Sequence, residues 1–197
     1  MKFLHFDDGR FTYRPEWPVI AAIVGVHVLA GALVPFFFSW KETLFSLLLA
    51  FVFLIGITLG YHRLFTHSSF KTVGWLKVLL VILGSLNWQG GVIKWVRNHL
   101  KHHLHTEKEE DPHTPRWLMH ILSRLHPESK NGKLVIWVQN RLSGFLWSHF
   151  LWIFFNRIDK NPMEEKKLAA HLDNDKFMVF MDRFFWAPQI ILVALLF

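Results

Sequence analysis

Residues 18–38 form a run of 21 positions without one Asp, Glu, Lys or Arg, and a second uncharged run, residues 44–60, follows after a single polar turn, SWKET. A helix rising 1.5 Å per residue needs about 20 residues to cross a hydrocarbon core of about 30 Å. The first run therefore predicts a transmembrane helix over 18–38, and the second its return over 44–61, giving a transmembrane helical hairpin. Ahead of it stand Asp7, Asp8 and three basic residues, a pattern unlike a cleaved signal peptide. His27 stands alone among apolar residues, which favours a helix-packing or weakly polar site over metal ligation.

Composition narrows the chemistry. The chain is 52% hydrophobic, carries ten Trp and twenty Phe, and has a formal charge of +7. Its Lys and Arg residues are dispersed among apolar runs, so lipid headgroups or an acidic ester suit them and nucleic acid does not. Of the 22, three precede the hairpin, one (Lys41) lies in its turn and 18 follow it. The positive-inside rule then puts both flanks in the cytosol, at a bacterial inner membrane or the endoplasmic reticulum. With no cysteine, disulfides, zinc fingers, thiolate clusters and a cysteine nucleophile are excluded. A metal must sit on histidine and carboxylate.

Beyond the hairpin, the apolar stretch 78–86 is too short to span and predicts an interfacial helix over about 72–88. A polar cytosolic helical cap over about 89–180 is broken at Asp111-Pro112, His126-Pro127, Asn131-Gly132 and Asn161-Pro162. Residues 184–197 read as the start of an incomplete third membrane helix. The expected architecture is all-α and integral to the membrane, as one domain over 1–197.

Two histidine clusters carry the chemical signal. The sequence GYHRLFTH places His62 and His67 five residues apart where the second helix emerges. On an unbroken α-helix they would point about 140° apart, so a shared site needs a loosened helix end. The second cluster, His99, His102 and His103 in HLKHH, falls within one helical face and can present three imidazoles. Imidazole suits iron, whose geometry leaves positions open for O₂. His105 falls off that face. His113, in EEDPHT, reads equally as an Asp111-oriented histidine near a metal or as a polar residue in a proline-fixed turn. His120, His126 and His171 have no informative spacing.

The order of HRLFTH at the end of a membrane hairpin, Trp88-Gln89-Gly90, HLKHH, EEDPHT and GFLWSH (144–149) resembles the membrane-bound fatty acid desaturases of the acyl-CoA, delta-9 type. The likeness runs from about residue 18 to the end of the chain. It implies a non-haem di-iron centre held by three histidine boxes, with His62, His67, His99, His102 and His103 among the ligands. Gln89, Trp95 and Arg97 would lie along the acyl chain and its activated head. Of a basic pair meeting coenzyme A phosphates, Asn156 and Arg157 occupy the positions and only Arg157 is basic. No further H-x-x-H-H follows His103, so the sequence reads as a C-terminally truncated desaturase, inactive as it stands.

The resemblance further implies two irons, O₂ as co-substrate and an external electron donor of cytochrome b5 or ferredoxin type, because no haem, flavin or nicotinamide signature is present. The expected substrate is a fatty acyl-CoA, another acyl thioester or a lipid. Two other readings share the histidines: a histidine-box hydroxylase of alkanes or sterols, and a non-catalytic membrane metal-binding protein.

Overall fold

The computed structural model describes residues 6–7, 11–117, 119–121, 133–159 and 167–196. The expected breaks at His126-Pro127, Asn131-Gly132 and Asn161-Pro162 lie outside them. In chain order the described elements are strands β1 (Phe6–Asp7) and β2 (Phe11–Pro15), then helices α1 (Trp17–Phe37) and α2 (Trp40–Ile55). A π-helix (Gly56–Thr66) continues α2, and α3 (Gly74–Ser85), α4 (Val92–His105) and α5 (Lys133–His149) follow. A 3₁₀ turn (Leu151–Phe154) leads into β3 (Phe155–Asp159), before α6 (Ala170–Asp173), α7 (Lys176–Arg183) and α8 (Ala187–Leu196).

The apolar runs became helices of the expected kind. Trp17–Phe37 has a mean hydropathy of 2.3 and buries none of its residues. Such a surface is stable where the surroundings are hydrocarbon, since its backbone polar groups are bonded within the helix. The second span is longer than its uncharged run, because α2 and the π-helix form one 27-residue apolar helix, Trp40–Thr66. α7 and α8 are bent by 64° at the Phe184-Phe185-Trp186 break and together make a possible third span. This is a membrane protein, and mostly helical.

Contacts gather into two units. The first comprises Met1–Phe36 and Lys101–Glu164, the second Phe37–Leu100 and Glu165–Phe197. In the second, the π-helix packs on α3 through Ile57, Tyr61, Leu64, Phe65, Leu80 and Val81, with Val92, Ile93 and Val96 of α4 joining the same core. Gly56 permits the approach, as a Cβ there would fall 2.1 Å from the backbone nitrogen of Gly84. α3 is shorter than the expected 72–88, because residues 86–91 turn through Trp88 (φ 58°) and Gly90 (φ 94°) before α4 begins.

The first unit holds the feature that the helical reading missed, a three-stranded antiparallel sheet in the order β1-β2-β3. The N-terminal stretch supplies two strands, and Tyr13 pairs with Arg157 of β3. Period-two alternation over five residues is a weak signal, and the long-range pairing of β2 with β3 adds the third strand that a two-stranded hairpin lacks. Phe11, Tyr13, Ile121 and Trp147 form its core, with Trp147 stacked on Trp117 at 4.0 Å. Gly144 of GFLWSH is required there, since a Cβ would meet the Pro115 carbonyl at 2.1 Å.

Candidate metal centre

The unwound helix end decides the first histidine pair. In a π-helix each N–H bonds five residues back, so residues five apart lie above one another as residues four apart do in an α-helix. The His67 N–H donates to the His62 carbonyl at 3.1 Å, and the Thr66 hydroxyl donates to the Tyr61 carbonyl at 2.8 Å. The two imidazoles, splayed by 140° on α geometry, stand instead with ring centres 4.7 Å apart.

His99 completes the cluster from α4. Its ring centre lies 4.7 Å from that of His62 and 5.6 Å from that of His67, and ligand nitrogens of the three fall within 4.8 Å of one another. Nitrogens sharing one ion at about 2.1 Å are at most about 4.2 Å apart, so a small inward ring rotation makes three ligands. The donors fit: neutral imidazoles at the end of an apolar helix suit iron and other late divalent ions. His103 lies one turn beyond His99 on the same face of α4.

His99 is held through Trp95 and through the anchoring of α4. The Trp95 indole stacks on it at 4.9 Å and 27°, and Trp95 Nε1 donates to Gln89 Oε1 at 2.9 Å. The start of α4 is held by Asp182 of α7, whose Oδ1 accepts from the backbone N–H of Ile93 (2.8 Å) and Lys94 (3.0 Å). This carboxylate caps the first turn of α4 and complements the positive end of the helix dipole. Arg97 Nη2 contacts both carboxylate oxygens of Asp173, at 3.1 and 3.2 Å.

His102 departs from the expectation of one common point for His99, His102 and His103. Adjacent residues on an α-helix differ by about 100°, so His102 and His103 look to different sides of the stripe. His102 joins Asp111 and His113 in a second group. Its Nδ1 lies 3.0 Å from Asp111 Oδ2, which also accepts from the Glu107 N–H (3.3 Å), while Oδ1 accepts from the His113 N–H (3.1 Å). The His113 ring stacks on His102 at 4.3 Å, and burial pushes its imidazole below the ordinary value against the opposing pull of Asp111. Asp111 is 1% exposed. A buried carboxylate beside Nδ1 favours the proton on that nitrogen.

No protein-family model matches the chain. Curated relatives do. It is 36% identical over 88% of its length to the sn-2 palmitoyl-lipid 9-desaturase of Nostoc sp. (strain 36), covering 53% of that protein. It is 32% identical over 92% of its length to the sn-1 stearoyl-lipid 9-desaturase of Anabaena variabilis, covering 57%. This chain belongs to the membrane fatty acid desaturase family. The delta-9 acyl-lipid desaturase 2 of Arabidopsis thaliana shares 39% identity over 59% of this desaturase homologue, covering 38% of the plant protein. The chain spans about half the length of the cyanobacterial relatives it matches.

Some residues of this desaturase homologue carried no readable sequence signal. Asp182 and Asp173 lie 88 and 76 positions from their α4 partners. His171, without informative spacing, sets its Nε2 3.0 Å from the Phe65 carbonyl and so braces the π-helix end. His27 is exposed and sets its Nδ1 2.7 Å from the Ile23 carbonyl of its own helix.

Proposed function

We propose that the whole protein is a fatty acyl desaturase that inserts a cis double bond into a saturated acyl chain at a histidine-ligated di-iron centre on the cytosolic face. The observation that carries this reading is the convergence of His62, His67 and His99 at the end of a 27-residue apolar helix. His62, His67, His99, His102 and His103 are the proposed ligands. When bound, reduced iron supplies the O₂-dependent oxidation that takes one hydrogen from each of two adjacent methylenes; two external electrons and two protons complete the reduction of O₂ to water. A cytochrome b5- or ferredoxin-type donor delivers the electrons.

The protein's part is placement. Trp95 and Gln89 present a rigid face beside His99, against which one methylene pair is held while water is excluded. Arg97 lies one turn of α4 from Ile93 and meets the polar end of the substrate. The relatives' names, palmitoyl-lipid and stearoyl-lipid desaturase, favour a lipid-bound acyl chain over acyl-CoA. Arg157 also argues against a coenzyme A site, because its guanidinium is engaged with backbone carbonyls.

Five imidazoles shared between two irons leave each with two or three, so residues 1–197 alone are expected to hold iron weakly and form no double bond. The test joins residues 1–197 to the unmatched part of the Nostoc relative and measures iron content and acyl products with O₂ and an electron donor. The chimera should hold iron and yield monounsaturated lipid, both lost in His99→Ala. Hydroxylated product would move the assignment to a hydroxylase, and neither iron nor product would end it.

A further inference from the structure

Within the first unit, Arg157 of β3 turns its guanidinium into the loop after α4. Nη1 donates to the carbonyls of Glu109 (2.9 Å) and Asp111 (3.0 Å), and Nη2 donates to that of Glu110. Three consecutive carbonyls therefore face one planar fork. Behind it lies the fully buried Phe11, whose ring centre is 4.4 Å from Arg157 Cζ. The backbone of Arg157 is itself set by pairing with Tyr13. The clamp is thus anchored on a sheet and an aromatic core, and the loop it grips delivers the buried Asp111 carboxylate to His102 Nδ1 at 3.0 Å.

We propose that Arg157 is a positioning residue for His102, acting through the Glu109, Glu110 and Asp111 backbone and then the Asp111 carboxylate, so that the His102 proton is kept on Nδ1 and Nε2 is the nitrogen that ligates a cation. The inference rests on the reading of His102 as a ligand. It gives Arg157 a role other than contact with substrate phosphates. The geometry explains why arginine is needed: several N–H groups in a fixed plane can satisfy three carbonyls at once, which the single point charge of a lysine does not reproduce. The Glu107 and His113 N–H groups hold the Asp111 carboxylate from its own loop, and the Arg157 clamp adds the tie to the sheet; with the carbonyls released, that tie is lost and Asp111 is held less firmly on Nδ1, and the tautomer of an imidazole follows the bond its other nitrogen makes.

The proposal is tested on residues 1–197 in lipid nanodiscs, free of metal. Ring ¹⁵N resonances of histidine-labelled protein, with His102 assigned by His102→Gln, report which nitrogen carries the proton. Wild type should show the proton on Nδ1 and an unprotonated Nε2. Arg157→Gln and Asp111→Asn should each raise the share of molecules protonated at Nε2 by about twofold or more, and the double variant should go no further than Asp111→Asn alone. Titration with Co²⁺ should show affinity about tenfold or more weaker in Arg157→Gln, with Arg157→Lys between it and wild type. If Arg157→Gln does not fold, Arg157→Lys carries the same comparison, since it keeps the charge and loses the fork. An unchanged His102 tautomer in the folded Arg157 variants, or additive effects in the double variant, overturns the proposal. The ring spectrum needs no metal, substrate or O₂, so failure of the desaturation chimera would leave it intact.

Discussion

His67 donates its backbone N–H to the carbonyl of His62 at 3.1 Å, and that one bond turns an i, i+5 spacing from a mismatch into a pair of convergent imidazoles. Thr66 supports it, because its hydroxyl donates to the Tyr61 carbonyl at 2.8 Å within the same wide turn. Thr66→Val keeps the shape and removes that donor. It is expected to cost about 0.5–1.5 kcal/mol in reversible unfolding. It should also weaken Co²⁺ binding, since the His62 and His67 rings are no longer held together; unchanged affinity would show that the wide turn persists without Thr66.

The contact between the π-helix and α3 allows no side chain at Gly56. A Cβ there meets Gly84 nitrogen at 2.1 Å and Leu83 carbonyl carbon at 2.4 Å, both backbone atoms. Gly56→Ala should therefore destabilise the protein by about 1–3 kcal/mol. Gly25→Ala, in a helix where nothing lies within 4 Å of the added methyl, should be neutral or stabilising by up to about 1 kcal/mol. Parallel unfolding curves in one detergent give the comparison.

Asp182 acts at a distance from the cluster but on the helix that carries it. Asp182→Ala leaves the Ile93 and Lys94 N–H groups without their cap, and should cost about 1–2 kcal/mol. Asp182→Asn keeps an acceptor and should cost less. Equal losses in thermal unfolding would mean that charge on the helix dipole, and not the hydrogen bonds, sets the contribution.

The Arg97–Asp173 pair predicts the opposite balance. Arg97 is half-buried and Asp173 exposed, at 30% and 41%, and pairs so open to water contribute about 0–1 kcal/mol. Asp173→Ala should leave stability nearly unchanged. Because it releases Arg97, the residue proposed to meet the substrate head, it should alter KM more than kcat in the chimera assay. A large loss of stability would place the pair in the structural core instead.

The sequence alone determined what depends on composition and local spacing. Uncharged runs of spanning length admit only a helix in lipid, because each backbone donor and acceptor must be met within the segment. The absence of cysteine limited metal ligation to imidazole and carboxylate, and HRLFTH with HLKHH named the histidines. Tertiary structure decided how those histidines are grouped. Gly56 and Gly60 bring α3 against a helix end that runs in π geometry, which puts His67 over His62. Three residues along α4 turn the side chain by about 60°, which gave His102 to Asp111 and left His99 with the first pair. The caps and clamps, Asp182 on α4 and Arg157 on the Asp111 loop, join residues 46 to 89 positions apart. A hydrogen bond of that span has no local periodicity to announce it, and only the folded chain brings its two ends together.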